Sequence, residues 1–436
     1  MPRSVYEPPF HRRIAPVIFA LIFLISAPIL IFYTSGYRFN PNKVTIERNG
    51  TLIVDSVPRG ATVFLNDQDI RDATAATLQN LAPGPYKIRV TRNAYLPWEK
   101  TLDVRAEQVT FANSIHLWFS APATLMRQGF YSRITASADG DTIAALDASS
   151  TEMLFLTTDN RLISRVRAPE SDLIAQAPIR WSLNGTSLLM GGTNVGEEAW
   201  WTAPDALSRE SGVLPPGQFF WNANELTGYD GERQYTLNPR LRTLTSERLP
   251  ASQLGALDGL TLEVNTSTGF LNLRSRSILH QLFQLPRGDW QFADQQGAYT
   301  LLKDGNRWLA VRIRVDGNRA EEVTGDWPRW LPSSEIPTAL FLNQNEIWTW
   351  ELGSAPVLIA RQSEPFVQVA WHPDGQTIFV AGKNELYALE LDDRGGRQKT
   401  SLASFDMIYD MTYADGSIFL NAEMGGVRGM YRRIVD

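Results

Sequence analysis

The sequence predicts an all-β protein behind a single N-terminal transmembrane helix. Three observations predict this fold class: an uncharged apolar stretch at residues 14–33, an alternation of apolar and polar residues from Val44 to Leu117, and a turn-and-strand pattern that recurs over the rest of the chain. Alternation with a period of two is typical of strands, whereas a membrane-spanning helix needs about 20 apolar residues in succession. The predicted order is a cytoplasmic stub at 1–13, the transmembrane helix at 14–33, a linker with a first strand at 34–49, a small β-sandwich at 50–118 and a large β-domain at 122–436.

The composition excludes several classes of protein. The chain has 436 residues, of which 43% are hydrophobic, and its net charge is −6. We expect no nucleic acid as a partner, because such binding needs Lys and Arg concentrated on one face to neutralise phosphates. The absence of cysteine excludes disulfides, thiolate catalysis and Cys-ligated zinc. Packing of the apolar residues must therefore stabilise the cores.

Residues 14–33 contain no charge, and Arg12 and Arg13 come directly before them. A helix of this length spans the hydrocarbon layer of about 30 Å, so the lipid bilayer is the expected partner of this segment. Because positive flanks stay in the cytoplasm, we expect a single-pass protein of the cell membrane with a cytoplasmic N-terminus and an extracytoplasmic body. A cleaved signal peptide is the alternative, with Thr34-Ser35-Gly36 as the small-residue site, and it leaves the body outside as well.

The region after the apolar segment has the pattern of a small β-domain. Asn49-Gly50 predicts a hairpin, since both central residues of a type I′ turn need positive φ. Tyr86, Ile88 and Val90 alternate with polar residues, which indicates a half-buried strand.

Residues 50–107 resemble the PEGA domain, a small β-sandwich module. The resemblance depends on Pro58-Arg59-Gly60-Ala61, on the strand that ends at Asn66, and on Pro83-Gly84 before the strand that begins at Tyr86. Arg59 replaces the usual Glu of the signature, and Asp67 stands where the family usually has Gly. The resemblance implies a surface adhesion or interaction module without catalysis.

Three acidic residues in this region, Asp67, Asp69 and Asp72, could suggest a calcium loop. A calcium loop needs a Gly at its sixth position and a bidentate acid at its twelfth, and the sequence has neither at that spacing. We therefore expect a solvated hairpin and no metal.

A turn followed by an apolar strand recurs about every 40 residues in the C-terminal region. The clear copies are Ser137-Ala138-Asp139-Gly140, Trp181-Ser182-Leu183-Asn184-Gly185, Trp371-His372-Pro373-Asp374-Gly375 and Tyr413-Ala414-Asp415-Gly416, and weaker copies lie at Trp221-Asn222-Ala223-Asn224, Leu257-Asp258-Gly259, 294–297 and 330–335. Several short strands per unit of this length are typical of a β-propeller. The Trp-x-Pro-Asp-Gly copy resembles the WD40-like repeats of TolB-type and dipeptidyl-peptidase propellers.

The sequence allows a propeller of either eight or seven blades. Residues 122–436 accommodate eight blades of about 39 residues or seven of about 45, and both suit a propeller. The number of copies favours eight. We expect Thr124-Leu125-Met126 to complete the last blade, because this closure removes an open sheet edge.

Tryptophan occupies the same place in four copies, at Trp181, Trp221, Trp330 and Trp371. These residues could form an aromatic floor for sugar rings, or they could pack between neighbouring blades. Recurrence at one offset favours packing.

The sequence contains no motif that identifies a reaction. The histidines His11, His116, His280 and His372 are far apart, and there is no nucleophile elbow, zinc-protease motif or phosphate loop. The acidic pairs lie in turns or linkers, and they are Asp139/Asp141, Glu197/Glu198, Glu321/Glu322 and Asp392/Asp393. We predict no catalytic, cofactor-binding or metal residues and no cofactor, and the binding residues are left unknown.

The leading functional hypothesis is a membrane-anchored extracytoplasmic scaffold or binding protein of the bacterial cell surface. Its propeller would be the interaction platform for an envelope protein or a cell-wall glycan, and the chain would not be an enzyme. The alternative is an enzyme of the glycoside hydrolase or lyase type that acts on envelope polymers through carboxylates at the propeller mouth.

Overall fold

The protein forms two compact units, which a computed structural model describes in part. The first comprises Met1–Phe119 and Asp392–Gln398, and the second comprises Ser120–Leu391 and Lys399–Asp436. The described residues are 10–34, 37–40, 45–169, 177–182, 184–193, 196–205, 211–222, 225–230, 232–238, 243–248, 253–257, 260–265, 269–275, 278–288, 290–296, 299–312, 320–332 and 334–436.

The first unit begins with helix α1 (Phe10–Thr34), which includes the predicted segment 14–33. Most of its large apolar side chains from Val17 to Phe32 are more than half exposed. The hydroxyl of Thr34 donates to the carbonyl of Leu30 at 2.9 Å in the last turn. No helix in the described ranges is long and apolar enough to cross a membrane.

Nine strands follow among the described residues of this unit. They are β1 (Tyr37–Asn40), β2 (Thr45–Arg48), β3 (Gly50–Val57), β4 (Thr62–Leu65), β5 (Gln68–Ala73), β6 (Ala76–Leu81), β7 (Gly84–Thr91), β8 (Trp98–Val104) and β9 (Val109–His116). The first two pair with each other, the order β6-β3-β9 forms one sheet, and the order β5-β4-β7-β8 forms another. Alternate side chains of both sheets enter one core, including Leu52, Val63, Ile88 and Trp98. The predicted alternation in β7 is confirmed by buried Ile88 and Val90.

The hairpin predicted at Asn49-Gly50 is wrong. Strand β2 pairs with β1, whereas β3 pairs with β6 and β9, so no hairpin joins β2 to β3. Gly50 has a different role, because a Cβ there would collide with the carbonyl of Arg105 and would lie 2.6 Å from Val104 Cγ1. A close backbone approach accounts for this glycine.

The type I′ geometry occurs instead between β4 and β5. Asn66 and Asp67 have φ values of 50° and 64°, and Leu65 pairs with Gln68 on either side of them. The side chain of Asn66 accepts a hydrogen bond from the backbone N–H of Lys87 at 3.0 Å. Asn and Asp tolerate positive φ better than other non-glycine residues, so the turn forms without the usual glycine.

The described strands of the second unit form eight four-stranded antiparallel sheets. The first four sheets contain β11 (Tyr131–Ala136), β12 (Thr142–Asp147), β13 (Glu152–Thr157) and β14 (Leu162–Arg167); β15 (Ile179–Trp181), β16 (Leu188–Gly191), β17 (Ala199–Thr202) and β18 (Gly212–Leu214); β19 (Gln218–Asn222), β20 (Glu225–Tyr229), β21 (Arg233–Asn238) and β22 (Thr243–Arg248); and β23 (Gln253–Leu257), β24 (Leu260–Asn265), β25 (Phe270–Ser275) and β26 (Ile278–Gln284).

The last four sheets contain β27 (Gln291–Gln296), β28 (Tyr299–Asp304), β29 (Arg307–Arg312) and β30 (Ala320–Thr324); β31 (Arg329–Trp330), β32 (Thr338–Asn343), β33 (Glu346–Glu351) and β34 (Val357–Arg361); β35 (Gln368–Trp371), β36 (Thr377–Ala381), β37 (Glu385–Glu390) and β38 (Lys399–Ser404); and β39 (Met407–Ala414), β40 (Ser417–Met424) and β41 (Val427–Ile434) with β10 (Thr124–Gln128). Every side chain of β36 is buried, as expected for a strand covered on both faces.

Each predicted repeat coincides with the connection between the first and second strands of a sheet. Gly140, Gly185, Gly375 and Gly416 all have positive φ in these connections. Parts of four weaker copies lie outside the described residues, at 223–224, 258–259, 297 and 333. The repeated Asp-Gly or Asn-Gly pairs are therefore hairpin turns.

The sheets follow one another as the blades of a β-propeller do. First strands contact one another between sheets, as β31 does with β35, β35 with β39, and β39 with β11. These strands are therefore innermost. Strand β10 pairs with β41, which confirms the predicted completion of the last sheet by a strand that precedes the first.

Candidate ligand site beside the central strands

The repeated tryptophans join neighbouring sheets through their indole N–H groups. Trp221 donates to the carbonyl of Arg180 at 3.0 Å, and Trp371 donates to the carbonyl of Arg329 at 2.8 Å. In both pairs the acceptor belongs to the first strand of the preceding sheet. These bonds confirm the packing interpretation for Trp221 and Trp371.

The other two repeated tryptophans differ from this arrangement. Trp330 donates to the carboxylate of Asp294 at 3.2 Å, and Trp181 packs edge-to-face against Phe155. The indole nitrogen of Trp181 is buried and has no hydrogen-bond partner within the described ranges.

The side chain of Arg180 is held by backbone carbonyls at the end of the second sheet. Its Nη1 donates to the carbonyl of Phe219 at 2.6 Å, and its Nη2 donates to the carbonyls of Gly191 and Gly192. Both glycines have positive φ, and a Cβ on Gly192 would lie 2.9 Å from the Cβ of Ala199. Glycine at these positions thus allows the turn that presents the two carbonyls to pack against Ala199.

Two cations from different sheets converge on the indole of Trp327. The guanidinium carbon of Arg180 lies 4.6 Å from the ring centroid, and Nζ of Lys303 lies 5.2 Å from it. Trp308 packs edge-to-face against Trp327 with 5.0 Å between the ring centroids. Cations within about 6 Å of an indole are attracted by its π electrons. We call Arg180, Lys303 and Trp327 the cation–indole cluster.

The charges of the cluster interact with each other and with two carboxylates. Burial lowers the pKa of Arg180 to about 10, against the opposing charges of Asp294 and Glu197. Burial also lowers the pKa of Lys303, where Glu197 opposes the shift and the positive charge of Arg180 adds to it. Arg180 remains charged at neutral pH, because that pH lies well below its pKa.

Neither cation forms an ion pair with a residue that the structure describes, although Glu197 and Asp294 act on Arg180, and Glu197 on Lys303, through their charges. Nε of Arg180 is buried without a hydrogen-bond partner there. Within the same residues, Nζ of Lys303 donates no hydrogen bond to a protein atom. An ammonium group has three donors, and a guanidinium has five. The cluster therefore retains donor capacity that the described protein atoms do not use.

The two nearby carboxylates already accept hydrogen bonds from their own surroundings. Glu197 accepts from the backbone N–H of Thr193 at 2.9 Å. Asp294 accepts from the side-chain amide of Gln296 at 3.1 Å, in addition to Trp330. These bonds hold both carboxylates beside the cluster, where they partly offset its positive charge.

The sequence did not point to the cation–indole cluster. Glu197 was among the acidic residues that it singled out, but Arg180, Lys303 and Trp327 belong to no motif and are far apart in the chain. Only the contact between sheets brings them together.

The other acidic residues that the sequence singled out in the second unit interact with residues outside the cation–indole cluster. Asp139 accepts from the N–H of Asp141 at 3.2 Å within its turn. Glu322 pairs with Arg307 within the fifth sheet at 2.6 Å, and Glu321 accepts from the indole of Trp350 in the sixth sheet at 3.2 Å. Glu198 is exposed. The sequence-based expectation that these acids lie in turns holds for the first pair but not for Glu321 and Glu322, which lie in β30.

Three acids of the first unit also have local roles. Asp67 pairs with Lys87 at 3.4 Å, and Asp69 accepts from the N–H of Arg71 at 2.8 Å. Asp392 pairs with Lys100 at 3.2 Å and with Arg394 at 2.9 Å. Asp393 is exposed beside Asp392.

The histidines lie in separate elements. In the second unit, His372 contacts Asp374 through Nδ1 at 2.9 Å and Asp436 through Nε2 at 3.2 Å. In the first unit, His116 stacks on Trp118 with 4.1 Å between the ring centroids. His11 lies in α1 and His280 in β26, and both side chains are outside the described part of the structure.

Comparison with known proteins identifies one domain by sequence. The PEGA domain matches residues 49–115, and no curated protein matches the chain. The matching residues include the signature at Pro58-Arg59-Gly60-Ala61, in which Gly60 has a φ of 80° and Ala61 is fully buried.

Solved structures similar to this chain share little sequence with it. The Cps50 (Swd1) β-propeller domain of Myceliophteria thermophila has 12% identity, covers 71% of this chain and 99% of its own, and has a TM-score of 0.44. Apo AztD from Citrobacter koseri has 10% identity, covers 68% of this chain and 95% of its own, and has a TM-score of 0.42. Hydrazine synthase from Kuenenia stuttgartiensis has 10% identity, covers 72% of this chain and 98% of its own, and has a TM-score of 0.40. The strand order of the second unit is what identifies its fold. The chain contains a PEGA domain at residues 49–115, followed by a β-propeller.

Proposed function

We propose that the chain is a membrane-anchored extracytoplasmic binding protein whose propeller is the interaction platform for an envelope protein or a cell-wall glycan. The observation that carries the proposal is the cation–indole cluster, in which two cations without an ion pair in the described residues meet one indole. Propellers commonly bind ligands near their central strands, where several blades contribute side chains to one place. The PEGA domain is the second interaction module of this proposal.

The proposed anchor is residues 14–33, with residues 1–13 in the cytoplasm and the body outside. Its support is the absence of charge in this segment, the arginines at 12 and 13, and the exposed apolar side chains of α1. The proposed body consists of a linker at 34–49, the PEGA-type module at 50–118 and an eight-bladed propeller at 122–436.

Sedimentation with purified peptidoglycan tests the binding function. The full-length protein in detergent micelles is mixed with peptidoglycan, and in parallel with cross-linker and solubilised envelope proteins. We expect enrichment of the protein in the peptidoglycan pellet or in a discrete cross-linked product, relative to an unrelated protein in the same detergent. Enrichment in neither experiment would contradict the proposal.

Protease treatment of intact cells tests the topology. An extracytoplasmic body is degraded while a cytosolic control protein survives. Survival of both proteins would place the body in the cytoplasm and overturn the proposed location.

A polymer-cleaving enzyme is the second candidate, because Glu197 and Asp294 both act on the charge of Arg180. Two carboxylates about 5–10 Å apart could act as acid and base in glycoside cleavage. The test is release of new reducing ends from peptidoglycan by the full-length protein, with Glu197→Gln as the comparison. Release that is lost in this variant would favour the enzyme, and no release would remove this candidate.

A further inference from the structure

The strongest feature outside any sequence motif is the ammonium group of Lys303. It lies 5.2 Å from the ring centroid of Trp327 and 5.9 Å from that of Trp308, which places it beside two indoles. The side chain is partly buried, so part of its hydration is lost. A partly buried charge is usually paired, because removing it from water is costly. Within the described residues Lys303 forms no ion pair, and Glu197 acts on it only through its charge, without a hydrogen bond.

The neighbouring groups favour an anion as the missing partner. Arg180 brings a second positive charge to the same indole, and this charge repels a cationic ligand. Glu197 and Asp294 reduce the positive potential, but each already accepts hydrogen bonds from Thr193 or from Gln296 and Trp330. The open donors of the cluster therefore belong to the cations.

The two cations have different parts in such a site. The terminal nitrogens of Arg180 are oriented by three backbone carbonyls, so this side chain contributes a fixed charge. The ammonium of Lys303 has no acceptor within the described ranges, so it can donate to a ligand. The indole of Trp327 is only partly buried, so it adds aromatic surface beside the ammonium.

We propose that the cation–indole cluster binds an oxyanion, a carboxylate or a phosphate carried on a sugar, with Lys303 as the binding residue and Arg180 as the positioning residue. The proposal deepens the proposed function, on which it rests, by naming the ligand chemistry. Acidic sugars and sugar phosphates supply the same oxygen acceptors.

Calorimetric titration of the full-length protein in detergent tests the site with three probes. Oligogalacturonate carries carboxylates, glucose 6-phosphate carries a phosphate, and a maltooligosaccharide is neutral. We expect binding of at least one anionic probe and none of the neutral one, with affinity that falls as salt is added. If neither anion binds, the proposal is wrong.

Substitutions separate the site from general charge effects. Lys303→Gln should weaken binding of the anionic probe by about tenfold or more, because it removes a charge-assisted hydrogen bond. Lys303→Arg should retain most of the affinity. Lys383→Gln changes net charge equally at an exposed residue of the same unit and should leave binding unchanged. Equal affinity of the wild type and Lys303→Gln, in folded proteins with the same melting temperature, would overturn the assignment.

The same variants distinguish failure of this inference from failure of the proposed function. If Lys303→Gln sediments with peptidoglycan as the wild type does, the binding function stands and the assigned site is wrong. If the anionic probe binds through Lys303 but no envelope fraction does, the site stands and the proposed function is wrong.

Discussion

The carboxylate of Asp410 accepts a hydrogen bond from the backbone N–H of Ile134 at 3.0 Å. Asp410 lies in the eighth sheet and Ile134 in the first, so this bond joins the two ends of the series of sheets. The other carboxylate oxygen of Asp410 accepts from the side-chain amide of Gln368, in the seventh sheet, at 3.1 Å. Asp410 is only 3% exposed. One buried carboxylate therefore connects three sheets where the propeller closes.

Replacement of Asp410 by Ala should destabilise the propeller by about 3 kcal/mol, because the N–H of Ile134 and the amide of Gln368 lose their acceptor inside the protein. Urea unfolding followed by tryptophan fluorescence measures the change. Asp141→Ala is the control, since Asp141 is exposed in a turn of the first sheet. Equal midpoints for the two variants would contradict this role of Asp410.

The pH dependence of Asp410→Asn provides a second measurement on the same residue. Burial raises the pKa of Asp410, although its hydrogen bonds and the charge of Arg133 oppose the shift. The folded state then holds the proton more tightly than the unfolded state, so this group's contribution to stability falls as pH rises from the unfolded pKa through the folded one. The Asn variant should lack that fall, whereas Asp141→Asn should keep it.

Trp371→Phe should lower the free energy of unfolding by about 1 kcal/mol more than Trp181→Phe does. The indole of Trp371 donates to the carbonyl of Arg329, whereas the buried indole nitrogen of Trp181 has no partner among the described residues. Phenylalanine keeps an aromatic ring at both positions, so the difference isolates the hydrogen bond between sheets. Thermal unfolding of both variants is the measurement. A larger loss for Trp181→Phe would refute this account of the repeated tryptophans.

Stability of the propeller should depend on the charge of His372. Burial disfavours the imidazolium, but the hydrogen bonds and charges of Asp374 and Asp436 outweigh it and raise the pKa of His372 to about 9. The contribution of the charged imidazole to the free energy of unfolding is fully present below the unfolded pKa of about 6.5 and is lost as pH rises through about 9. Its upper value is about 3 kcal/mol, since one pKa unit corresponds to about 1.4 kcal/mol.

His372→Gln should therefore lose stability at pH 6 and little at pH 10, as measured by denaturant unfolding across this range. NMR titration of the wild type should find one imidazole with a pKa well above 7, and Asp436→Asn should lower that pKa. Parallel stability curves for the wild type and His372→Gln between about pH 6.5 and 9 would rule out the effect.

Asp392→Asn should destabilise the first unit by about 3 kcal/mol, because it leaves the ammonium of Lys100 buried beside a neutral amide. The side chain of Lys100 is 2% exposed and lies 3.2 Å from the carboxylate of Asp392. Burial alone would raise the pKa of Asp392, but hydrogen bonds from Arg394 and Lys100 lower it to about 2. Its contribution is present above the unfolded pKa and is lost as pH falls through about 2.

Asp393→Asn is the matched control for this pair, because Asp393 is exposed beside Asp392 and the change in charge is identical. Urea unfolding at neutral pH should distinguish the two variants. If Asp393→Asn is as unstable as Asp392→Asn, the ion pair with Lys100 is not the cause.

Strand and turn positions followed from local sequence over most of the chain. The Asp-Gly and Asn-Gly pairs at Gly140, Gly185, Gly375 and Gly416 mark hairpin turns, because the positive φ of these glycines is a property of a few adjacent residues. The strand at Thr124–Gln128 pairs as predicted with the last strand. Asn49-Gly50 shows the limit of this reasoning, since a turn-forming pair does not specify which strands pair, and Gly50 instead allows a close approach to Arg105.

The candidate site depends on contacts that no local pattern encodes. Arg180 lies in β15 and Lys303 in β28, whereas Trp327 lies in the connection between β30 and β31, and no sequence motif includes any of the three. Local periodicity and turn chemistry were enough to predict the sheets, because they act between residues close in the chain. The meeting of two cations at one indole was settled by the arrangement of the sheets about their first strands, because the charges interact through space and only the assembled propeller brings them within reach.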